Sequence, residues 1–261
     1  MIDKTAIVHP SAIIAEDAII GPNVIIGEDV KIGSKTRVIA NAYIECAEIG
    51  ERCTISPFAT IGTEPQDLGY KGEKTKVVIG NDTIIKENVT IHRAAACGDY
   101  TTRIGNKCLI MVGAHIAHNC VLEDEVILAN LATLGGHIHV GFGAFIGGMS
   151  VFHQNVRIGK MAIVSGFSAG RQDVLPYSKS DGRPACARGL NVIALKRRGI
   201  SQEDRTIANE ALKILMSREQ NTSQAVEKII ASGRTNEMVD EMIKFIKESK
   251  RGVCLIPHSE L

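Results

Sequence analysis

Histidine is the residue type whose spacing in this chain most invites a chemical reading. The sequence holds eight, and five of them fall in Thr90-Ile-His-Arg93, Ala114-His-Ile-Ala-His-Asn-Cys120, Gly135-Gly-His137 and Val151-Phe-His-Gln154. Imidazole titrates near neutrality, so such a set suits two chemistries. Three imidazoles can hold Zn²⁺ and activate a bound water. Alternatively, one imidazole serves as a general base for an attacking hydroxyl while its neighbours orient the acceptor. The inert reading is a ladder of stacked polar surface residues. Both chemistries need an element that brings His92 and His153 to the same place.

That element is legible in a second pattern. Val8, Ile14, Ile20, Ile26, Ile32, Val38 and Ile44 recur at every sixth residue. Ile49, Ile55 and Ile61 follow after one step of five, and Ile79, Ile85 and Ile91 after a gap. A second gap precedes Ile104, Ile110, Ile116, Leu122, Leu128, Leu134, Val140, Ile146, Phe152, Ile158 and Val164. A period of six fits neither an α-helix nor an alternating strand. It marks a hexapeptide-repeat parallel β-helix, a triangular prism in which three hexapeptides make one coil. With strands stacked about 4.8 Å apart, the expected prism is roughly 35–45 Å long.

If the three faces are called a, b and c, Ile104 falls on a, Ile110 on b and Ile116 on c. Ile61 and Ile79 are separated by 18 residues, and Ile91 and Ile104 by 13. Both insertions leave face c and return to face a, so the expected loops, 62–78 and 92–103, share one corner. His92, His118, His137 and His153 fall on face c or just beyond it, in consecutive coils. His115 directly precedes Ile116. Two loops at one corner of a solenoid, beside such a ladder, point to a binding site.

The composition narrows the class. Apolar residues make up 44% of 261, enough for a sizeable core, whereas aromatics are only 4% and Trp is absent, as a narrow interior requires. A net charge of +1 argues against a general nucleic-acid binder. Seven cysteines without a Cys-x-x-Cys pair form no framework and suggest a reducing compartment. No signal-peptide pattern opens the chain and no apolar run is long enough to span a membrane, so a cytoplasmic protein is expected.

The period fades after Gly170, and 171–190 reads as a closing coil or linker. The prism is therefore assigned to 1–190 and an α-helical domain to 191–261. Within the latter, Val192–Arg198 reads as a short helix ended by Gly199. Ser201-Gln-Glu-Asp204 starts a second helix with a capping-box-like pattern. Shorter helices are expected at about 223–231 and 236–249, and the whole segment could cap the open prism end.

Taken with the opening MIDKTAIVHPSA, Pro65-Gln-Asp-Leu68, Gln172-Asp-Val174, and Leu190-Asn191 leading to Leu195-Lys-Arg-Arg-Gly199, the histidine motifs closely resemble those of one family. It is the acyl-[acyl carrier protein]–UDP-N-acetylglucosamine O-acyltransferases of lipid A biosynthesis, and the resemblance runs to about Gly199 in order and spacing. It implies a left-handed prism, a homotrimer and no cofactor, the acyl carrier protein thioester being a substrate. The implied reaction moves an (R)-3-hydroxyacyl group to the glucosamine 3-position of UDP-N-acetylglucosamine or its 3-amino analogue. It makes His118 the general base, Asn119 its orienting neighbour and the Gly136 N–H an oxyanion donor. His115 and His137 match sugar-contacting positions, and His153 and Gln154 positions near the nucleotide and acyl group. Asn191, Arg197 and Arg198 match positions that bind ribose and diphosphate from a neighbouring subunit. Asp67 and His92 complete the implied substrate contacts, and no metal ligand is implied. Gly166 matches the floor of the acyl groove, and its missing side chain implies a chain of around fourteen carbons rather than about ten. The sequence departs from the family where Asn119 replaces a usual Asp, Gly69 a frequent Lys and Ile193 a frequent Glu.

The rival readings are a later N-acyltransferase of the same pathway, a γ-carbonic-anhydrase-like zinc enzyme and a non-catalytic scaffold. The first carries an N-terminal uridine-binding domain, for which a repeat beginning at Val8 leaves no room.

Overall fold

The computed structural model describes residues 1–255; the last six residues of the expected 191–261 segment lie outside it. Strands of mostly two residues build three parallel sheets along the prism. In Ile19–Ile20 and Ile25–Ile26 the first side chain faces out and the second is buried. That second position is the six-residue ladder, and Ile44, Ile55, Ile61, Ile91, Ile110, Ile116 and Leu134 are all fully buried. Removing each from water is worth about 1.5–3 kcal/mol, so a long stack of short strands holds together. A second interior position takes mostly small side chains, among them Ala18, Val24, Ala42, Cys53, Ala59, Cys108 and Cys120, with Ile138 the large exception. Three of the five free cysteines are thus accounted for as small core residues.

Face c carries nine strands, from Ile7–Val8 to Ala169–Gly170, and face a eight. The histidine strands stack directly: Thr90 pairs with His115, His115 with Thr133, and Thr133 with Val151. The insertions emerge between Thr63 and Lys76 and between His92 and Thr101, shorter than the gaps in the period suggest. The reason is mutual pairing. Lys76 aligns with Thr101 and Val77 with Thr102, extending the ladder outward from Ile79 and Ile104. Arg93 joins the two loops. Its guanidinium donates to Glu45 at 2.9 Å, to the Gly62 carbonyl at 3.0 Å and to the Tyr70 hydroxyl at 3.0 Å.

The 171–190 segment is more ordered than a linker. Ser178–Asp181 and Cys186–Leu190 form an antiparallel hairpin on face b, turning at Gly182. Helices follow at Val192–Arg197 (α1), Gln202–Leu215 (α2), Thr222–Ala231 (α3) and Glu237–Glu248 (α4). Ser201 caps α2, its hydroxyl accepting from the Asp204 N–H at 3.0 Å. Leu195, Leu212, Val239 and Met242 pack with Met161, Leu175 and Tyr177 of the last coils. The chain end then returns to the prism: Val253 bridges Asp173, and Cys254 is disulfide-bonded to Cys186, 68 residues away. This pair departs from the expectation of unpaired thiols. It is created by the returning segment, which no cysteine spacing records.

Candidate active site

His118 lies two residues beyond its face c strand, at the corner where the prism turns toward face a, and it is nine-tenths buried. Its Nδ1 is 2.9 Å from Asn119 Oδ1. The Asn119 amide is oriented by its other partners. Nδ2 donates to the carbonyls of Ala95 at 3.2 Å and Cys97 at 3.1 Å, and Oδ1 accepts from the Ala95 N–H at 2.9 Å. Carbonyl oxygens only accept, so the NH₂ must face them and Oδ1 must face His118. Nδ1 therefore carries the imidazole proton, and Nε2 keeps a free lone pair. Asn119 itself sits at φ +57°, a left-handed corner that Asn tolerates well.

Gly136 is one eighteen-residue coil above His118, at the same phase. A Cβ built there would lie 2.6 Å from both Cε1 and Nε2 of the imidazole. Any side chain at 136 would displace the ring. The Gly136 carbonyl accepts from Asn155, whereas its N–H donates to no group among the described residues. A free N–H beside a basic Nε2 is the arrangement that acyl transfer uses, with base and oxyanion donor on one reacting carbon.

Three imidazoles surround this pair. The His137 ring meets His118 edge to face at 5.0 Å, and His92 meets His115 in the same way at 4.9 Å. His115 Nδ1 is 2.7 Å from the Thr90 hydroxyl. Burial, reinforced by His115 and His118, pushes His92 down to about 4. Burial and then His118 also lower His115. His137 is lowered by the same two causes, which Asp67 opposes. These neighbours are thus neutral at pH 7 and add no cationic charge opposing proton uptake at His118. Cys120 is not poised as a nucleophile. Its Sγ donates to the Gly135 carbonyl at 3.1 Å, and burial pushes the thiol up to about 12.

Family models match three stretches of the chain: "Udp N-acetylglucosamine O-acyltransferase; Domain 2" at 173–254, "Bacterial transferase hexapeptide (six repeats)" at 101–136, and "GMPPB C-terminal domain" at 2–97. The acyl-[acyl-carrier-protein]–UDP-N-acetylglucosamine O-acyltransferase of Thermodesulfovibrio yellowstonii is 47% identical over 254 residues, covering 97% of this chain and 98% of that protein. The chain belongs to this family. It is an acyltransferase, and its fold is the left-handed β-helix with a C-terminal helical region. The solved structure of LpxA from Acinetobacter baumannii matches with a TM-score of 0.93 at 35% identity, over 97% of this chain and 98% of that one. LpxA from Bacteroides fragilis matches with a TM-score of 0.93 at 36% identity, over 97% and 99%.

Within this acyltransferase the site residues named from sequence fall into three groups. His92, His115, His118, Asn119, Gly136 and His137 converge at the corner between faces c and a. His153 and Gln154 extend that corner by one exposed coil, and Asp67 lies in the first inserted loop, its carboxylate accepting from the Gly69 N–H at 2.8 Å. The basic segment lies elsewhere. Arg198 pairs with Glu125 and stacks on Phe142, at the corner between faces a and b, with Arg197 exposed beside it. Asn191 is buried as the cap of α1 and donates to the Met161 carbonyl at 2.8 Å. Gly166 is exposed at the remaining corner, across face c from His118 and toward the C-terminal end of the prism. Sequence reasoning missed Ala95, Cys97 and Thr102, which hold Asn119. They lie in or beside the second insertion, where the repeat gives no phase.

Proposed function

We propose that this acyltransferase moves an (R)-3-hydroxyacyl group from acyl carrier protein to the 3-hydroxyl of UDP-N-acetylglucosamine, with His118 as general base. The observation that carries this reading is the fixed tautomer of His118, whose lone-pair-bearing Nε2 lies against Gly136, a residue whose N–H has no partner among the described residues. Nε2 takes the proton of the 3-hydroxyl as that oxygen attacks the thioester carbonyl. The oxyanion that forms accepts from Gly136 N–H. Collapse breaks the C–S bond, and the carrier thiolate takes the proton back from the imidazolium. The reaction as written draws on no metal or other cofactor. His115 and His137 contact the sugar, His92 and Asp67 complete its pocket, and His153 and Gln154 lie toward the nucleotide and acyl chain.

Arg197, Arg198 and Asn191 stand at a different corner from His118, which supports a homotrimer in which one chain's basic segment meets the neighbour's histidines. The Arg fork suits a diphosphate. The enzyme is assigned to the cytoplasm, and no helix among the described residues is long and apolar enough to cross a membrane. Gly166 leaves the acyl groove open to a long chain.

His118→Ala is expected to lower transfer by about 10²–10⁴-fold, the usual contribution of a general base. The assay crosses UDP-N-acetylglucosamine and its 3-amino analogue with hydroxyacyl carrier proteins of several lengths, and UDP-sugar binding is followed in parallel. Near-normal transfer by a folded His118→Ala protein would remove His118 from the role of base.

A further inference from the structure

The second inserted loop does more than border the site. Asn119 uses its full hydrogen-bonding capacity, with two N–H donors on Ala95 O and Cys97 O, and Oδ1 shared between Ala95 N–H and His118 Nδ1. Its main-chain N–H is also held, donating to the Thr102 hydroxyl at 2.9 Å, and Thr102 is fully buried. Three of these partners belong to 93–100; Ala94 and Ala95, where the loop meets the prism, are buried, while 96–100 are exposed, so the loop is anchored at its first residues. We propose that loop 93–100 is a positioning element for His118, acting through Asn119, and that its two inward carbonyls select an amide rather than a carboxylate at position 119. The proposal builds on the reading of His118 as general base.

The physical reason is an acceptor count. A carboxylate has no donor, so Asp at 119 would set an anionic oxygen against the two carbonyls that the Asn119 NH₂ now satisfies. Either the side chain rotates away from His118 and the imidazole loses its fixed tautomer, or the carboxylate stays on Nδ1–H and the loop that clamps it is released. Asn at this position is thus fitted to the loop and is not a weakened Asp. It gives up a negative charge beside His118 and gains a clamp that ties the base to the insertion.

Two variants test this. Asn119→Gly accepts the left-handed backbone and deletes the carboxamide; Asn119→Asp keeps the shape and removes the donors. Hydrogen exchange at the Ala95 amide reads the clamp without reference to activity. Protection is expected in the wild type and lost in both variants. In the transfer assay both are expected to lose about 10- to 100-fold in kcat, the usual cost of removing a histidine's outer partner. The acid limb of the pH profile should move upward in Asn119→Asp if the carboxylate stays beside His118, which a purely structural residue would not cause. Asn119→Asp with wild-type kcat and a protected Ala95 amide would overturn the proposal. A wild-type protein that protects Ala95 but transfers no acyl group would instead overturn the assignment of function.

Discussion

The chemistry at the residue scale rests on which nitrogen holds a proton. In a free imidazole either tautomer serves; here the Asn119 carbonyl oxygen selects Nδ1–H and leaves Nε2 basic. Asn119 supplies orientation without charge, and the neutral histidines around His118 keep the pocket free of competing cations. Their neutrality has a measurable consequence. His92 has an ordinary value of 6.5 and is held at about 4 in the fold. As pH falls, the unfolded chain takes up this proton first, so the folded state loses stability between about 6.5 and about 4 and levels off below that. His115, His137 and His139, also lowered by burial, act in the same direction. The urea midpoint of the wild type is expected to fall across this window, and that of His92→Gln to fall less. An equal fall in both proteins would show that His92 is not a source of the pH dependence.

Packing between coils is the governing interaction at the element scale. Each regular hexapeptide adds two interior side chains, the ladder residue and the one two before it, and the prism has little spare volume. Phe152 is the largest of the fully buried side chains and stands where most coils carry Ile or Leu. The next coil makes room for it: Gly170 pairs with Phe152, and a Cβ there would lie 2.4 Å from Phe152 Cε1. Gly170→Ala is therefore expected to destabilise the protein by about 1–3 kcal/mol. Combined with Phe152→Leu, which shortens the offending ring, the two costs should sum to less than their separate values. Strict additivity in denaturant melts would show that the two positions do not share this space. The period places Phe152 inside and Gly170 at the same phase eighteen residues on; that the Phe152 ring occupies the space a Cβ at 170 would need is evident only in the structure.

Across the whole molecule, the separation of functional residues over different corners is the feature that matters most. One prism face lies between His118 and Gly166, and another between His118 and Arg198. In the homotrimer proposed above, a single chain presents parts of several sites rather than one complete site. Sedimentation equilibrium is expected to give three times the chain mass. Co-expression of His118→Ala with an Arg197→Ala, Arg198→Ala double variant, each nearly inactive alone, should restore part of the transfer activity in mixed trimers. No restoration in verified mixed trimers would mean that each chain supplies its own diphosphate site.

The sequence by itself determined the prism, its faces and the corner at which the histidines collect. A six-residue period repeats a local conformation, so counting along the chain is equivalent to measuring in space. The stacking of Gly136 over His118 follows from the same count, since the two are eighteen residues apart. Counting fails where the repeat is interrupted. The clamp on Asn119 from Ala95 and Cys97, the pairing of Lys76 with Thr101, and the bond between Cys186 and Cys254 all involve insertions or the returning C-terminal segment. Those segments carry no phase, and their partners are chosen by packing and hydrogen bonding between stretches distant in the chain. Only the tertiary structure could decide them, and one of them, the amide clamp, fixes the proton on the candidate base.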